Sequence, residues 1–178
     1  NTKNVYSKGM FENVCLAIKV ALDLNIDKKV IKKALPFLSF EGRFQYLNKG
    51  KIKNKLNRNE LIMIDGAHAT ADAQNLASYL KKIKIPKYGI WAMTKNKDQD
   101  LFIKQLKGVF KKIITMPIDN EVNSVSAQEL YKVATENKFN AEKSDNFAQA
   151  LKKISSKEKK LIVCFGSLYN CGNILNKN

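Results

Sequence analysis

Residues 61–65 read Leu-Ile-Met-Ile-Asp, an apolar run that ends on a carboxylate. A Gly66-Ala67-His68 turn follows, and then Ala73, Leu76, Ala77, Leu80 and Ile83 recur at helical spacing. This handover from a buried strand to an amphipathic helix repeats down the chain, and it constrains the fold more than any other feature. Strands are predicted over 61–65, 88–93, 111–116 and 161–165. Helices are predicted over 70–83, 99–110, 126–137 and 146–154, with a last one near 168–175 and a short strand near 138–142. Such alternation specifies an α/β fold, a mostly parallel sheet with helices on both faces.

The first forty residues have a different character. Phe11, Val14, Cys15, Ile18 and Leu22 form one stripe of a helix predicted over 11–24. A second helix over 28–35 starts after Asp27, a capping residue, and ends at Pro36. Residues 37–42 read as an extended connector and 43–47 as a first strand. Residues 49–59, with five basic residues and three Asn, read as a solvated loop or hairpin tip. The expected division is therefore 1–40, the helical end of a preceding domain with its linker, and 41–178, an α/β domain of ordinary size. The start at Asn1-Thr2-Lys3, without an initiator Met, fits a piece of a longer protein.

Composition removes several classes of function. A net charge of +16 first points to nucleic acid, but only Arg43 and Arg58 are arginines and the lysines are spread along the chain. Base reading favours bidentate Arg, and single-strand binding interleaves aromatics with basic groups; neither pattern is present. Cys15, Cys164 and Cys171 form no CxxC pair, so no zinc site or disulfide framework is expected, and Cys15 and Cys164 read as small buried hydrophobes. No apolar run approaches the roughly 18 residues of a membrane span. A reducing cytoplasm is the expected setting.

In a parallel sheet the loops that follow the strands share one edge, where ligands bind. Here those loops carry Asp65, His68, Lys97, Asp98, Asn120, Ser124, Gly166 and Ser167. That polar rim suits an anionic ligand. Asp65 could serve function or simply cap the following helix. His68 lies in a turn off any apolar stripe, with a satisfied structural histidine as its alternative. Arg43 offers the guanidinium fork that suits phosphates and carboxylates. Gly166-Ser167 is either a plain turn or an anion seat at a helix N-terminus. One histidine and no cysteine pair give too few ligands for a metal, and no GxxxxGK[ST] phosphate loop occurs.

These residues resemble a known family. Glu41-Gly42-Arg43-Phe44-Gln45 and Ile62-Met63-Ile64-Asp65-Gly66-Ala67-His68 are similar to the PGR and DGAHN signatures of folylpolyglutamate synthase and dihydrofolate synthase, of the Mur ligase superfamily. Glu12-Asn13, Lys97-Asp98, Ser126-Ala127-Gln128-Glu129-Leu130 and Gly166-Ser167-Leu168-Tyr169 keep the family's order. Ala69 and Asn96 stand where the family has Asn and Asp, and Asn123 where it usually has Arg. The resemblance implies a Rossmann-like Mur ligase C-terminal domain whose partner is an N-terminal ATPase domain of the same enzyme. It implies an ATP- and Mg²⁺-dependent ligase that joins L-glutamate to dihydropteroate or folate through an acyl phosphate, the Mg²⁺ ligands lying in the N-terminal domain. It places Asn13, Arg43 and Asp65 at ATP, His68 at catalysis, and His68, Ser167, Lys97 and Asp98 at glutamate or its placement. A monomer with no specific nucleic-acid partner and no membrane is expected. Another Mur-type amino-acid ligase and a basic nucleic-acid-binding module are the alternatives.

Overall fold

The computed structural model describes residues 5–178, in two compact units, Asn1–Glu41 and Gly42–Asn178. The described part of the first unit is helical: α1 (Lys8–Asp23), α2 (Lys28–Ala34) and a 3₁₀ turn at Leu35–Phe37. The Ser7 hydroxyl accepts the Met10 N–H at 3.2 Å and Asp27 accepts the Lys29 N–H at 2.6 Å, so each helix starts on its own cap. α1 buries Met10 and, from the predicted stripe, Val14, with Ile18 half-buried; Phe11, Cys15 and Leu22 of that stripe turn outward. Phe11 and Cys15 are consequently exposed, which corrects the expectation that Cys15 is buried. Val14, Ala17, Ile18, Val30 and Ile31 line an apolar groove of about 310 Å³ between the two helices.

The second unit contains β1 (Gln45–Tyr46), α3 (Lys51–Lys55), β2 (Glu60–Asp65), α4 (Thr70–Lys81), β3 (Lys87–Trp91) and α5 (Gln99–Lys104). β4 (Lys112–Thr115), α6 (Ala127–Glu136), β5 (Ala141–Lys143), α7 (Phe147–Ile154), β6 (Lys160–Phe165) and α8 (Leu168–Lys177) complete it. Six strands form one sheet in the order β1-β2-β6-β3-β4-β5, parallel throughout except for β1. The α/β expectation holds. Alternate residues of the strands feed two cores. On one face Ile62, Ile64, Ile90, Ile114, Ile162 and Cys164 meet Ile52, Phe147, Leu151, Cys171 and Ile174 from α3, α7 and α8. On the other, Trp91, Phe102, Phe110 and Phe165 form a layer of near-parallel rings with neighbouring centroids 5.1–6.4 Å apart.

β6 lies between β2 and β3, buried along its whole length. Its first residue pairs in register with the first residue of β2, setting Lys160 opposite Glu60. Both side chains are buried, with Nζ 3.6 Å from Oε1. Lys160 Nζ also donates to the Ile154 carbonyl at 2.7 Å and lies 4.8 Å from the centre of the Tyr88 ring. Glu60 accepts the Ser156 and Asn57 N–H groups at 2.8 and 2.9 Å. Burial pushes its carboxyl up, but those hydrogen bonds and the Lys160 charge outweigh it and hold the group below the usual range.

Three local expectations are corrected. Residues 51–55 form a helix inside the predicted loop, because Ile52 is buried against α7 and its N–H donates to the Asn178 side chain at 3.1 Å. The predicted strand over 43–47 shortens to two residues, since Phe44 adopts a left-handed φ of 47° that breaks the ladder. The helix predicted over 99–110 stops at Lys104 and continues as turns to Val109, with Gly108 at a φ of 74°.

A buried ion pair with satisfied partners is strongly destabilising to break from one side. Glu60→Ala or Lys160→Ala is expected to lower unfolding free energy by about 3–5 kcal/mol, read from urea denaturation. A loss under about 1 kcal/mol would show the pair to be dispensable.

Candidate functional site

Parallel neighbours β2 and β6 are followed by helices that leave on opposite sides of the sheet: α8 packs with α3 and α7, whereas α4 packs beside α5. That reversal is the topological switch point, where an α/β sheet opens a crevice at its carboxyl edge. The Asp65–His68 turn and the Gly166–Leu168 turn flank it.

The two turns touch. Leu168 of α8 packs onto Gly66 so closely that a Cβ there would lie 2.6 Å from Leu168 Cγ, and a larger residue would have to displace the leucine. Gly166, at φ 108°, sits over the edge of the Trp91 indole. A third segment joins them: the Gly66 N–H donates to the Gly42 carbonyl at 2.6 Å, with Cys171 of α8 alongside. Residues 42–44, 65–68 and 166–171 thus converge on one crevice.

Asp65 holds this convergence together. Its Oδ2 accepts the Phe44 N–H and its Oδ1 the Ala67 N–H, both at 2.8 Å. The side chain is 1 % exposed, so Asp65 lies beneath the rim rather than on it, a correction to its expected place. Burial raises its carboxyl to about 6; the two N–H donors and Arg43 oppose the rise, and Asp72 adds to it. Arg43 is partly exposed, its Nη1 3.7 Å from Asp72 Oδ2. His68 sets Nδ1 2.7 Å from the Gly66 carbonyl oxygen. A carbonyl only accepts, so Nδ1 carries the proton and the neutral ring keeps its lone pair on Nε2. The His68 N–H donates to Asp72 Oδ2 at 3.3 Å.

Ser167 is buried and caps α8, its hydroxyl accepting the Tyr169 N–H at 3.1 Å. Lys97 and Asp98 belong to the β3–α5 loop, where Asp98 caps α5 by accepting the Leu101 N–H at 2.8 Å. That loop is tied to the β4–α6 loop by a Thr94–Ser124 bridge and the Lys95 N–H to Asn123 carbonyl bond at 2.8 Å. Asn13 lies in the first unit, on the wall of its apolar groove. Cys171 is no nucleophile: burial and the nearby Asp65 push its thiol up to about 12.

Sequence reasoning missed Asp72, although it stands one helical turn after His68 in the first turn of α4. It also missed Trp91 Nε1 and Asn170 Nδ2, buried donors with no hydrogen-bond partner among the described residues. No cluster of three or more metal-ligating side chains occurs among the described residues.

The strand order and the helices on both faces define a Rossmann-like α/β domain. More particularly, residues 48–177 match the family described as dihydrofolate synthetase, C-terminal domain, and the chain belongs to that family. A Mycobacterium tuberculosis folylpolyglutamate synthase complexed with ADP and AMPPCP superposes with a TM-score of 0.80 at 18% identity, over 97% of this chain and 40% of that one. E. coli FolC in complex with DHPP and ADP gives 0.67 at 18%, over 84% and 34%. Thermotoga maritima folylpolyglutamate synthase gives 0.69 at 23%, over 95% and 38%. The chain therefore spans 34–40% of the length of these structures. No curated protein matches it in sequence.

Two measurements check the site. Above pH 3.8 an unfolded chain releases the Asp65 proton, while the folded chain keeps it to about 6. This group's contribution to stability therefore falls as pH rises through that window, by ~3 kcal/mol at most. Urea unfolding of wild type and Asp65→Asn should show stability differences that change in that direction between about pH 4 and about pH 6.5; parallel profiles would refute the assignment. Separately, nitrogen-15 NMR of the sole histidine should find the neutral ring protonated at Nδ1, and a ring protonated at Nε2 would remove the Gly66 contact.

Proposed function

We propose that this chain is the C-terminal part of an ATP-dependent ligase that adds L-glutamate to dihydropteroate or a folate. The observation that carries the reading is the meeting of Arg43, His68 and the start of α8 at one switch-point crevice, in a chain of this family. In such a reaction a substrate carboxylate oxygen attacks the γ-phosphorus of ATP and ADP leaves. The amine of glutamate then attacks the acyl carbon, phosphate leaves, and the nitrogen gives up its extra proton.

This chain's residues suit parts of that sequence. Arg43 presents guanidinium donors to phosphate oxygens. His68, with a lone pair on Nε2, accepts a hydrogen bond or the proton from the glutamate nitrogen. Ser167 and the first turn of α8 offer donors to a glutamate carboxylate. Asp65 contributes by fixing the Arg43 turn from below, and Asn13, Lys97 and Asp98 are assigned supporting contacts to ATP or glutamate. ATP is assigned to the Arg43 side of the crevice. The magnesium ligands and the phosphate loop are assigned to an N-terminal ATPase domain of the same enzyme. The exposed apolar residues of α1 and the groove beside it suit packing against that domain. A cytoplasmic monomer is the proposed setting; no helix among the described residues is long and apolar enough to cross a membrane.

The 178-residue chain alone is expected to incorporate no labelled glutamate into dihydropteroate or tetrahydrofolate with ATP, whereas the intact gene product does so. In the intact enzyme Arg43→Ala should raise the apparent KM for ATP well beyond the effect of Lys51→Ala, a surface change on α3. Turnover by the isolated chain, or equal effects of the two substitutions, would overturn the reading.

A further inference from the structure

Asp72 is the one group in the crevice that touches both of its outward-facing functional side chains. Its Oδ2 lies 3.7 Å from Arg43 Nη1 and 3.9 Å from His68 Nδ1. The same oxygen accepts the His68 backbone N–H at 3.3 Å. Asp65 cannot share this duty, because it is buried and holds a backbone N–H on each oxygen. Arg43 has no hydrogen bond to its guanidinium among the described residues, and Asp72 is its only ion-pair partner there. A guanidinium fork held on one nitrogen by a carboxylate keeps its remaining donors directed outward.

Asp72 also has a plain structural use. The N-cap of α4 is Ala69, which offers no side-chain cap, and an acid in the first turn suits the positive end of the helix. That use explains a carboxylate near residue 72. It does not explain why one oxygen serves the Arg43 and His68 segments together.

We propose that Asp72 is a positioning residue that locks the Arg43 fork and the His68 turn into one arrangement, so that the free side of the fork meets the ligand's phosphate oxygens. The placement of phosphate rests on the function proposed above; the locking does not. With Asp72 neutralised, Arg43 loses its tether and samples many orientations, and the preorganised contact is lost. Asparagine at this position retains an oxygen for the His68 N–H, so Asp72→Asn removes the charge while sparing the backbone bond.

Two arms test the proposal separately. In the nitrogen-15-labelled chain, Arg43 and Arg58 give the only two arginine Nε–H signals. Asp72→Asn should shift the Arg43 signal and bring its heteronuclear NOE down to that of Arg58, with Asp72→Glu restoring part of it. An unchanged Arg43 signal in a folded Asp72→Asn protein overturns the proposal whatever the ligand is. In the intact gene product, Asp72→Asn should raise the apparent KM for ATP roughly tenfold, as loss of a charge-assisted contact does. The double variant Arg43→Ala with Asp72→Asn should be no worse than Arg43→Ala alone. Additive losses would show Asp72 acting elsewhere. A wild-type gene product that couples no glutamate would instead defeat the functional reading and leave the spectroscopic arm to decide on the lock.

Discussion

The pairing of β2 with β6 is the interaction on which the rest of the structure depends. Their register runs from Glu60 opposite Lys160 to Asp65 opposite Phe165. Ile62, Met63 and Ile64 are all buried, as are Ile162, Val163 and Cys164, so apolar burial alone does little to choose among registers. The ion pair at the first position does choose. A slip of one residue would set Glu60 beside Leu161 and leave two charges buried without partners, at a cost that no apolar contact recovers. The chemistry at the opposite edge inherits this precision, because Asp65 ends the same strand.

From Asp65 the order propagates through short, directional contacts. Its two oxygens fix Phe44 and Ala67, and the Gly66 N–H fixes Gly42. Leu168 then fills the space above Gly66 and carries the start of α8 into the crevice. Segments more than a hundred residues apart in the chain are thereby set against one another by backbone hydrogen bonds and one close glycine contact. The charge of Asp65 is kept in a costly place for this purpose: its raised carboxyl records the burial, and the two N–H donors record what the burial secures.

How much of this was legible in the sequence follows from which forces are local. The apolar runs of β2, β3, β4 and β6 and the helical spacing of Ala73, Leu76, Ala77 and Leu80 are written along the chain, and the fold class came directly from them. The crevice was legible as a set of loops on one edge. Its internal order was not. α3 was hidden because a lysine-rich segment becomes helical only when Ile52 finds its pocket, a tertiary effect. The left-handed Phe44 is set by the Asp65 hydrogen bond, which joins residues 21 positions apart. Asp65 was expected on the rim because strand alternation predicts direction but not depth. Cys15 lies at the edge of a stripe whose inner line runs through Val14 and Ile18, and it turns outward. Asp72 carried a signal, its one-turn spacing from His68, but an acid in a first helical turn has an ordinary explanation that masks it.

The electrostatics of the crevice differ from those of the surface around it. The protein carries +16 overall, yet the crevice sets the two carboxylates of Asp65 and Asp72 against the single guanidinium of Arg43. The excess of lysine is therefore a property of the surface at large, and the crevice is close to neutral or slightly negative above the Asp65 value of about 6. A triphosphate entering it would gain directed donors from Arg43 and face repulsion from two acids nearby. Net attraction then requires cations beyond those of the crevice itself. Under the proposed function the crevice contributes geometry and discrimination more than raw affinity.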